Sequence, residues 1–135
     1  MSTQTYKGSC HCGAVRIEAD IDLSAGSGRC NCSICSKTRA WGTTVKPDAF
    51  RLMQGADDLS AYEFGSRSAQ HRFCKHCGVQ VYTSGYVPEI GGEFRSVKIA
   101  CLDELPPETL AAIPVRYMDG RNDNWFEEPA VTKHL

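Results

Sequence analysis

The sequence predicts a mainly β fold with antiparallel sheets and short helical segments, and three observations support this prediction. Residues 15–20 alternate apolar and polar side chains, which is the pattern of a half-buried strand. Further β-prone runs recur at short intervals and are separated by clusters of Gly, Pro, Asp and Ser. Only two short segments carry helix signals. Because short connections join antiparallel strands, the sheets are expected to be antiparallel.

The strands are assigned from these runs in chain order. They are predicted at residues 15–20, 41–46, 50–54, 59–64, 70–74, 79–84 and 94–102. Gly26-Ser27-Gly28 and Gly91-Gly92 are predicted to be hairpin connections, because glycine adopts the backbone angles that tight turns require.

Two helical segments complete the assignment. A turn of helix is predicted over residues 33–39, directly after a cysteine cluster. A second helix opens at Pro106-Pro107-Glu108, continues through residues 109–113 and ends before Pro114. Since no internal repeat or linker interrupts the chain, residues 1–135 are predicted to form a single domain.

Composition excludes several classes of protein. The 135 residues are 41% hydrophobic and 23% charged, which is typical of a folded domain and not of a disordered chain. The formal net charge is −1, so the composition gives no indication of a positively charged surface that would bind a nucleic acid. No apolar run approaches the roughly 20 residues that cross a bilayer. No apolar stretch precedes Cys10, so no secretory signal is expected and the predicted location is the cytoplasm.

Eight cysteines are the unusual feature of this chain. They occur at positions 10, 12, 30, 32, 35, 74, 77 and 101. In a reducing compartment such a pattern indicates metal binding or catalysis more often than disulfides. Structural disulfides and buried reduced thiols are the alternatives.

Two cysteine pairs are spaced to hold one zinc ion. Cys10 and Cys12 lie two residues apart, so on an extended segment their side chains face the same way with Cα atoms about 6.6 Å apart. Cys74 and Cys77 enclose a tight turn, after which Gly78 releases the chain. Four thiolates form a closed structural zinc site.

The third cluster supplies three thiolates, from Cys30, Cys32 and Cys35. A zinc ion with three protein ligands keeps its fourth position open, which is typical of catalytic sites. Three thiolates make the metal a weak Lewis acid but a good partner for a soft ligand, so the cluster predicts thiol or thioether chemistry. In the alternative, Cys101, His71 or His76 supplies a fourth ligand and closes the site.

These motifs resemble the glutathione-dependent formaldehyde-activating enzyme family, which includes the centromere protein V type of domain. The resemblance lies in residues 8–15 (GSCHCGAV), 30–35 (CNCSIC) and 73–78 (FCKHCG), and it extends from about Tyr6 to residues 123–125. The resemblance implies a mostly β fold of the Mss4-like kind and two zinc ions per chain. It assigns the structural ion to Cys10, Cys12, Cys74 and Cys77, and the catalytic ion to Cys30, Cys32 and Cys35.

The activity that the resemblance implies is carbon–sulfur bond chemistry, typified by the condensation of formaldehyde with glutathione to S-hydroxymethylglutathione. Family members often carry a basic residue after the third catalytic cysteine, where this chain has Ser36. Lys37, Arg39 and Lys46 follow and are candidates to receive the carboxylates of glutathione, or they form a solvated face. The prediction is therefore a zinc-dependent carbon–sulfur lyase acting on a glutathione-like thiol and an aldehyde. The alternative is a non-catalytic, zinc-stabilised module that binds a protein partner.

The remaining candidates have simpler interpretations. Cys101 is predicted to be a small core residue, and His11 and His76 are predicted to point outward. Trp41 is either a pocket wall or a core residue. Asp119-Gly120 is predicted to be a tight turn, and Trp125-Phe126 is predicted to anchor the C-terminal segment.

Overall fold

Ten strands in two sheets, with two six-residue helices, form the part of the protein that the computed structural model describes, residues 2–135. The strands are β1 Gln4–Ser9, β2 Arg16–Ile21, β3 Ser27–Cys30, β4 Gly42–Val45, β5 Phe50–Gln54, β6 Leu59–Tyr62, β7 Ala69–Cys74, β8 Gln80–Val87, β9 Gly92–Lys98 and β10 Val115–Met118. The helices are α1 Ser33–Thr38 and α2 Pro107–Ala112. The mainly β prediction is confirmed. In residues 2–135, no helix has the length and apolar character to cross a membrane.

The smaller sheet has the strand order β1-β2-β5, and both of its pairings are antiparallel. Ile17, Ala19 and Ile21 of β2 are buried, as the alternation over residues 15–20 predicts. On the other face, Asp20 accepts two hydrogen bonds from the Arg51 guanidinium of β5, at 2.8 and 3.1 Å. It also accepts one from Thr5 Oγ1 of β1 at 2.7 Å, so one carboxylate links all three strands.

The larger sheet has seven strands in the order β10-β3-β4-β9-β8-β7-β6. All neighbours are antiparallel except β3 and β10, which run parallel with Cys30 opposite Met118. The expectation of purely antiparallel sheets is therefore wrong for this pair. A parallel pair needs a long crossover, and here β4–β9 separate the two strands in the chain.

The core lies between the two sheets. Ile17 comes from the small sheet, Val97 from the large one, and both are at most 1% exposed. Phe50 of β5 and Tyr82 of β8 meet across the interface with ring centroids 4.5 Å apart. Trp41 packs against this core, and its indole N–H donates to Ser27 Oγ at 2.7 Å, which favours the core interpretation over a pocket wall.

Several boundaries differ from those predicted. The strand expected over residues 94–102 ends at Lys98, and a 3₁₀ turn follows at Ile99–Cys101. Residues 59–64 are strand only as far as Tyr62. Gly26-Ser27-Gly28 is not a hairpin connection, because Ser27 begins β3. Gly91-Gly92 does join the hairpin of β8 and β9.

The C-terminal segment is held differently from the prediction. Phe126 is 86% exposed and does not anchor the chain. Asp119 and Gly120 do form a turn, which continues as a 3₁₀ segment from Gly120 to Asn122. A backbone bridge between Asp119 and Asn124 closes this turn.

Candidate metal centres

The first sulfur group joins the two predicted cysteine pairs. The Sγ atoms of Cys10, Cys12, Cys74 and Cys77 all lie within 4.8 Å of one another. Cys12 Sγ is 3.7 Å from Cys10 Sγ and 3.6 Å from Cys74 Sγ. Tetrahedral zinc with Zn–S bonds near 2.3 Å requires sulfurs roughly 3.8 Å apart, so the spacing fits. Such distances also exceed a covalent S–S bond of about 2.05 Å, so the group is not built of disulfides.

Two similar turns present these sulfurs. The N–H of Cys10 donates to the Val15 carbonyl at 3.1 Å, and the N–H of Cys74 donates to the Val79 carbonyl at 3.0 Å. Each turn contains a glycine in the left-handed region, Gly13 at φ 82° and Gly78 at φ 78°. Residues with a side chain rarely adopt such angles, which explains glycine at both positions.

Backbone amides donate to the sulfurs of this group. Val15 N–H donates to Cys10 Sγ at 3.3 Å, and His76 N–H donates to Cys74 Sγ at 3.4 Å. Hydrogen bonding from the Val79 backbone lowers the pKa of Cys77 to about 6. At Cys77 this favours the thiolate form, which is the form that binds metal.

The second sulfur group lies where β3 passes into α1. Cys30 ends the strand, Cys32 occupies the N-cap position of the helix, and Cys35 lies in its first turn. The three Sγ atoms lie within 4.8 Å of one another. Cys30 Sγ is buried and accepts from the Cys32 N–H at 3.3 Å.

The three sulfurs of this second group compete for negative charge. Hydrogen bonds with Cys30 and Cys35 lower the pKa of Cys32 to about 2. Hydrogen bonds with Cys30 and Cys32 raise the pKa of Cys35. One thiolate is thus stabilised at the expense of its neighbours. A divalent cation among the three sulfurs would stabilise all three thiolates, and soft sulfur donors suit zinc.

None of the proposed fourth ligands reaches this group. Among residues 2–135, no further Cys, His, Asp or Glu ligand atom joins the three sulfurs. Cys101 Sγ is buried and donates to the Gln80 carbonyl at 3.3 Å, as suits a core residue. His76 is exposed and pairs with Asp58 at 2.7 Å. His71 is buried on β7, with Nδ1 3.3 Å from Thr83 Oγ1.

A polar wall beside the second group has no motif that would reveal it in the sequence. Buried Asn31 donates to Asp119 Oδ1 at 2.8 Å and accepts from the Arg121 N–H at 2.9 Å. Arg121 Nε also donates to the Asn31 carbonyl at 3.1 Å. These bonds fix the Asp119–Arg121 turn against the cysteine cluster. In the sequence, only the predicted turn at Asp119-Gly120 indicated an ordered segment here.

Gly120 is the residue of this wall that lies closest to Cys30. A Cβ at position 120 would lie 2.6 Å from Cys30 Sγ and 2.5 Å from Trp125 Cη2. Real Cβ atoms do not approach heavy atoms this closely. Gly120 therefore lies between Cys30 Sγ and the indole of Trp125. The sequence predicted that Trp125 anchors the C-terminal segment but did not place it beside the second group.

The basic residues near the second group are exposed. Lys37 lies in the last turn of α1. Arg39 ends the helix in the left-handed conformation at φ 52°, and its Nη2 lies 3.4 Å from the main-chain oxygen of Leu135. Two open surface cavities of about 350 and 320 Å³ contain none of the clustered cysteines. A ligand at the three sulfurs would therefore bind outside these cavities.

Comparisons with known proteins show similarity over most of the chain. Residues 5–118, which include all seven clustered cysteines, match the family described as glutathione-dependent formaldehyde-activating enzyme. A Halomonas elongata protein whose provisional name is the same is 35% identical over 130 residues, covering 90% of this chain and 79% of that protein. The crystal structure of a Rhodobacter sphaeroides protein matches with a TM-score of 0.69 and 35% identity, covering 82% of this chain and 99% of that one.

Proposed function

Because this chain belongs to the glutathione-dependent formaldehyde-activating enzyme family, we propose that it is a zinc-dependent carbon–sulfur lyase. It joins a glutathione-like thiol to formaldehyde or another small aldehyde, or catalyses the reverse reaction. The observation that carries this proposal is the group of three sulfurs that no fourth ligand from residues 2–135 joins. The other group has four sulfurs and can complete a tetrahedral zinc site by itself, whereas the group of three leaves one zinc position for a substrate.

The two groups have different roles in this proposal. Cys10, Cys12, Cys74 and Cys77 hold a structural zinc ion. Cys30, Cys32 and Cys35 would hold the catalytic zinc ion, which would supply an open position for a sulfur ligand and favour the thiolate form of a thiol. The backbone N–H of Cys32 holds Cys30 Sγ, and the turn at Asp119–Arg121 holds Asn31, which lies between Cys30 and Cys32.

The exposed cations orient the thiol. Lys37 and Arg39 follow the third cysteine and receive the carboxylates of a glutathione-like substrate through charge-assisted hydrogen bonds. The cytoplasm is the location that fits the proposal, because a reducing compartment keeps all eight cysteines as thiols.

The reaction balances without an oxidant or reductant. The thiol loses its proton to solvent, and a sulfur lone pair forms the new C–S bond. The π electrons of the carbonyl move to oxygen, which then takes a proton from water. The product is a hemithioacetal, and its breakdown follows the same steps in reverse.

Magnetisation-exchange NMR with ¹³C-formaldehyde and glutathione tests this activity. The exchange rate between formaldehyde hydrate and adduct should rise in proportion to enzyme concentration, above the spontaneous rate. Cys35→Ala should lose the acceleration, whereas Cys101→Ala, which removes a cysteine outside both groups, should keep it. Protein that contains two zinc ions but gives only the spontaneous rate would favour the binding-module alternative.

The substrate contacts need a separate comparison. The double variant Lys37→Ala/Arg39→Ala should lose the preference for glutathione over 2-mercaptoethanol, which has no carboxylate. Turnover with 2-mercaptoethanol should not change. An unchanged preference would remove both residues from the proposed site.

A further inference from the structure

Lys98, the last residue of β9, is a buried cation without a protein partner. It is only 9% exposed. Within residues 2–135 the ion pairs involve Glu18, Asp20, Arg51, Asp58 and His76, and none involves Lys98. Burying an unpaired ammonium costs free energy, so its retention in a folded chain calls for a compensating interaction.

The sheet register places Lys98 on the face that carries the second sulfur group. Lys98 lies opposite Gly42 of β4, and Gly42 lies opposite Gly28 of β3. Cys30 is two residues beyond Gly28, so it shares that face. Residues 28 and 42 have no side chain, and the small Ser96 hydroxyl and the flexible Met118 methyl lie over them.

Electrostatics agrees with this placement. Burial lowers the pKa of Lys98, and the negative charges of Cys35, Cys101 and Cys32 oppose that shift. Burial and the positive charge of Lys98 together lower the pKa of His71, on the same face. Lys98 therefore lies within electrostatic reach of both the sulfurs and His71.

The groups that face Lys98 leave its ammonium available. An imidazole carries no negative charge, so His71, which contacts Thr83, does not neutralise the ammonium. In residues 2–135, every fully enclosed side-chain nitrogen or oxygen has a hydrogen-bond partner. Since Lys98 Nζ has no such partner, it must have some contact with solvent. The ammonium is therefore accessible to a small molecule from the solvent side.

We propose that Lys98 is a substrate-binding residue whose ammonium donates a hydrogen bond to the carbonyl oxygen of the aldehyde. This inference rests on the carbon–sulfur lyase function proposed above. As the thiolate lone pair forms the C–S bond, the π electrons move to that oxygen, and the ammonium stabilises the negative charge that develops there. Lys98 stays protonated throughout, and water supplies the proton that the oxygen finally takes.

A second role for Lys98 has to be separated from this one. Three thiolates around a dication, with a further thiolate bound, carry excess negative charge that a nearby ammonium would also offset. In that case Lys98 would favour any bound thiolate equally. If it binds the carbonyl oxygen, it favours only ligands that carry oxygen on the carbon next to sulfur.

Two ligands of similar size distinguish these roles. Thioacetate carries a partly negative oxygen on the carbon bonded to sulfur, as the hemithioacetal alkoxide does, whereas ethanethiol has no oxygen. Their affinities for zinc-loaded wild type, Lys98→Met and Lys7→Met are measured by anaerobic calorimetry, with zinc content determined for each protein. Lys7 is an exposed lysine of β1 and serves as the matched control.

The expected result is a selective loss. Lys98→Met should retain two zinc ions and bind ethanethiol within about twofold of wild type, while its affinity for thioacetate falls about tenfold or more, as for a lost hydrogen bond to a charged group. Its kcat/KM for aldehyde should fall by a similar factor, with KM for the thiol unchanged. Lys7→Met should match wild type throughout.

Other results would overturn the proposal. Equal losses for both ligands, or the loss of one zinc ion, would show that Lys98 only offsets thiolate charge. Unchanged affinities for both ligands would remove Lys98 from the site. If neither ligand binds wild type that contains two zinc ions, the proposed function itself fails, and the role of Lys98 fails with it.

Discussion

At the scale of single residues, Gly120 shows how little space surrounds the second sulfur group. Its backbone is not in the left-handed region, so the need for glycine does not come from torsion angles. It comes from contact, because the position lies between Cys30 Sγ and the Trp125 ring. A sequence motif built on cysteines cannot reveal this requirement, since Gly120 is distant from Cys30 in the chain.

Gly120→Ala should therefore disturb the second group alone. The added methyl group has to displace Cys30 Sγ or the indole, and overpacking of this kind typically costs about 1–3 kcal/mol. We expect the zinc content to fall from two ions to one, with the fold retained, as measured by elemental analysis and circular dichroism. Gly65→Ala is the control. At φ 59° the alanine strains the backbone, but its methyl group has nothing within 4 Å, so the variant should keep both zinc ions. Two zinc ions in Gly120→Ala would contradict this account.

Asp20 should make the free energy of unfolding depend on pH. Hydrogen bonds from Arg51 and Thr5 lower the pKa of Asp20 to about 2, from its ordinary value of 3.8. The folded state thus favours the carboxylate, so the stabilisation is present above about pH 4 and is lost as the pH falls towards 2. Asp20→Asn should be less stable than wild type at pH 6, and the difference should shrink between pH 4 and pH 2.

Urea denaturation at each pH measures this difference. Protonation of the cysteine ligands at low pH affects wild type and Asp20→Asn alike, so only the difference between them reports on Asp20. Asp48→Asn, at an exposed position outside the network, should show no such trend. A difference that stays constant down to pH 2 would show that the ionised carboxylate does not support the small sheet.

At the scale of elements, the four-sulfur group fastens one sheet to the other. Cys10 and Cys12 lie between β1 and β2 of the small sheet. Cys74 ends β7 of the large sheet, and Cys77 lies in the turn between β7 and β8. The three-sulfur group instead joins β3 to α1 within one short stretch of chain. A metal in the first group thus closes a long loop between sheets, whereas a metal in the second orders only local structure.

Cys74→Ala and Cys35→Ala should therefore have unequal effects. Zinc binding at a structural site contributes on the order of 10 kcal/mol to folding, so Cys74→Ala should unfold or aggregate. Cys35→Ala should stay folded and lose activity. Cys101→Ala, the control, loses a hydrogen bond to the Gln80 carbonyl and the packing of one buried sulfur, which should cost about 1–2 kcal/mol. Thermal unfolding followed by circular dichroism provides the comparison, and equal midpoints for Cys74→Ala and Cys35→Ala would refute this division.

The sequence predicted best the strands that bury one face. The residue 15–20 alternation and the run at 50–54 correspond to β2 and β5, whose apolar residues contact the core. It missed β1, β3 and β10, which are only four residues long or lack a repeated apolar–polar alternation. β1 is a largely exposed edge strand, and β3 and β10 pair in parallel across a long crossover. Cysteine spacing predicted both sulfur groups, but the Asp119–Arg121 turn packs against the second group through tertiary contacts, which no spacing encodes.

At the scale of the whole molecule, metal binding changes the charge of the protein. Seven ligand thiols that become thiolates add seven negative charges, and two zinc ions add four positive charges, so the formal charge falls from −1 to −4. Two of these thiolates, those of Cys32 and Cys35, act electrostatically on Lys98, the buried cation that no carboxylate neutralises. The charge balance of the second group thus involves residues from β3, α1 and β9.

The whole chain should bind two zinc ions and unfold as one cooperative unit. Native mass spectrometry of protein purified without chelator should give two zinc ions per chain, and mild chelation should remove first the ion with three protein ligands. Because β2, β5, β8 and β9 contribute to one core, the zinc-loaded chain should then unfold in a single transition with equal calorimetric and van't Hoff enthalpies. One zinc ion after added zinc would eliminate the open site. Two separate transitions would show that the sheets are independent domains, contrary to a single domain over residues 1–135.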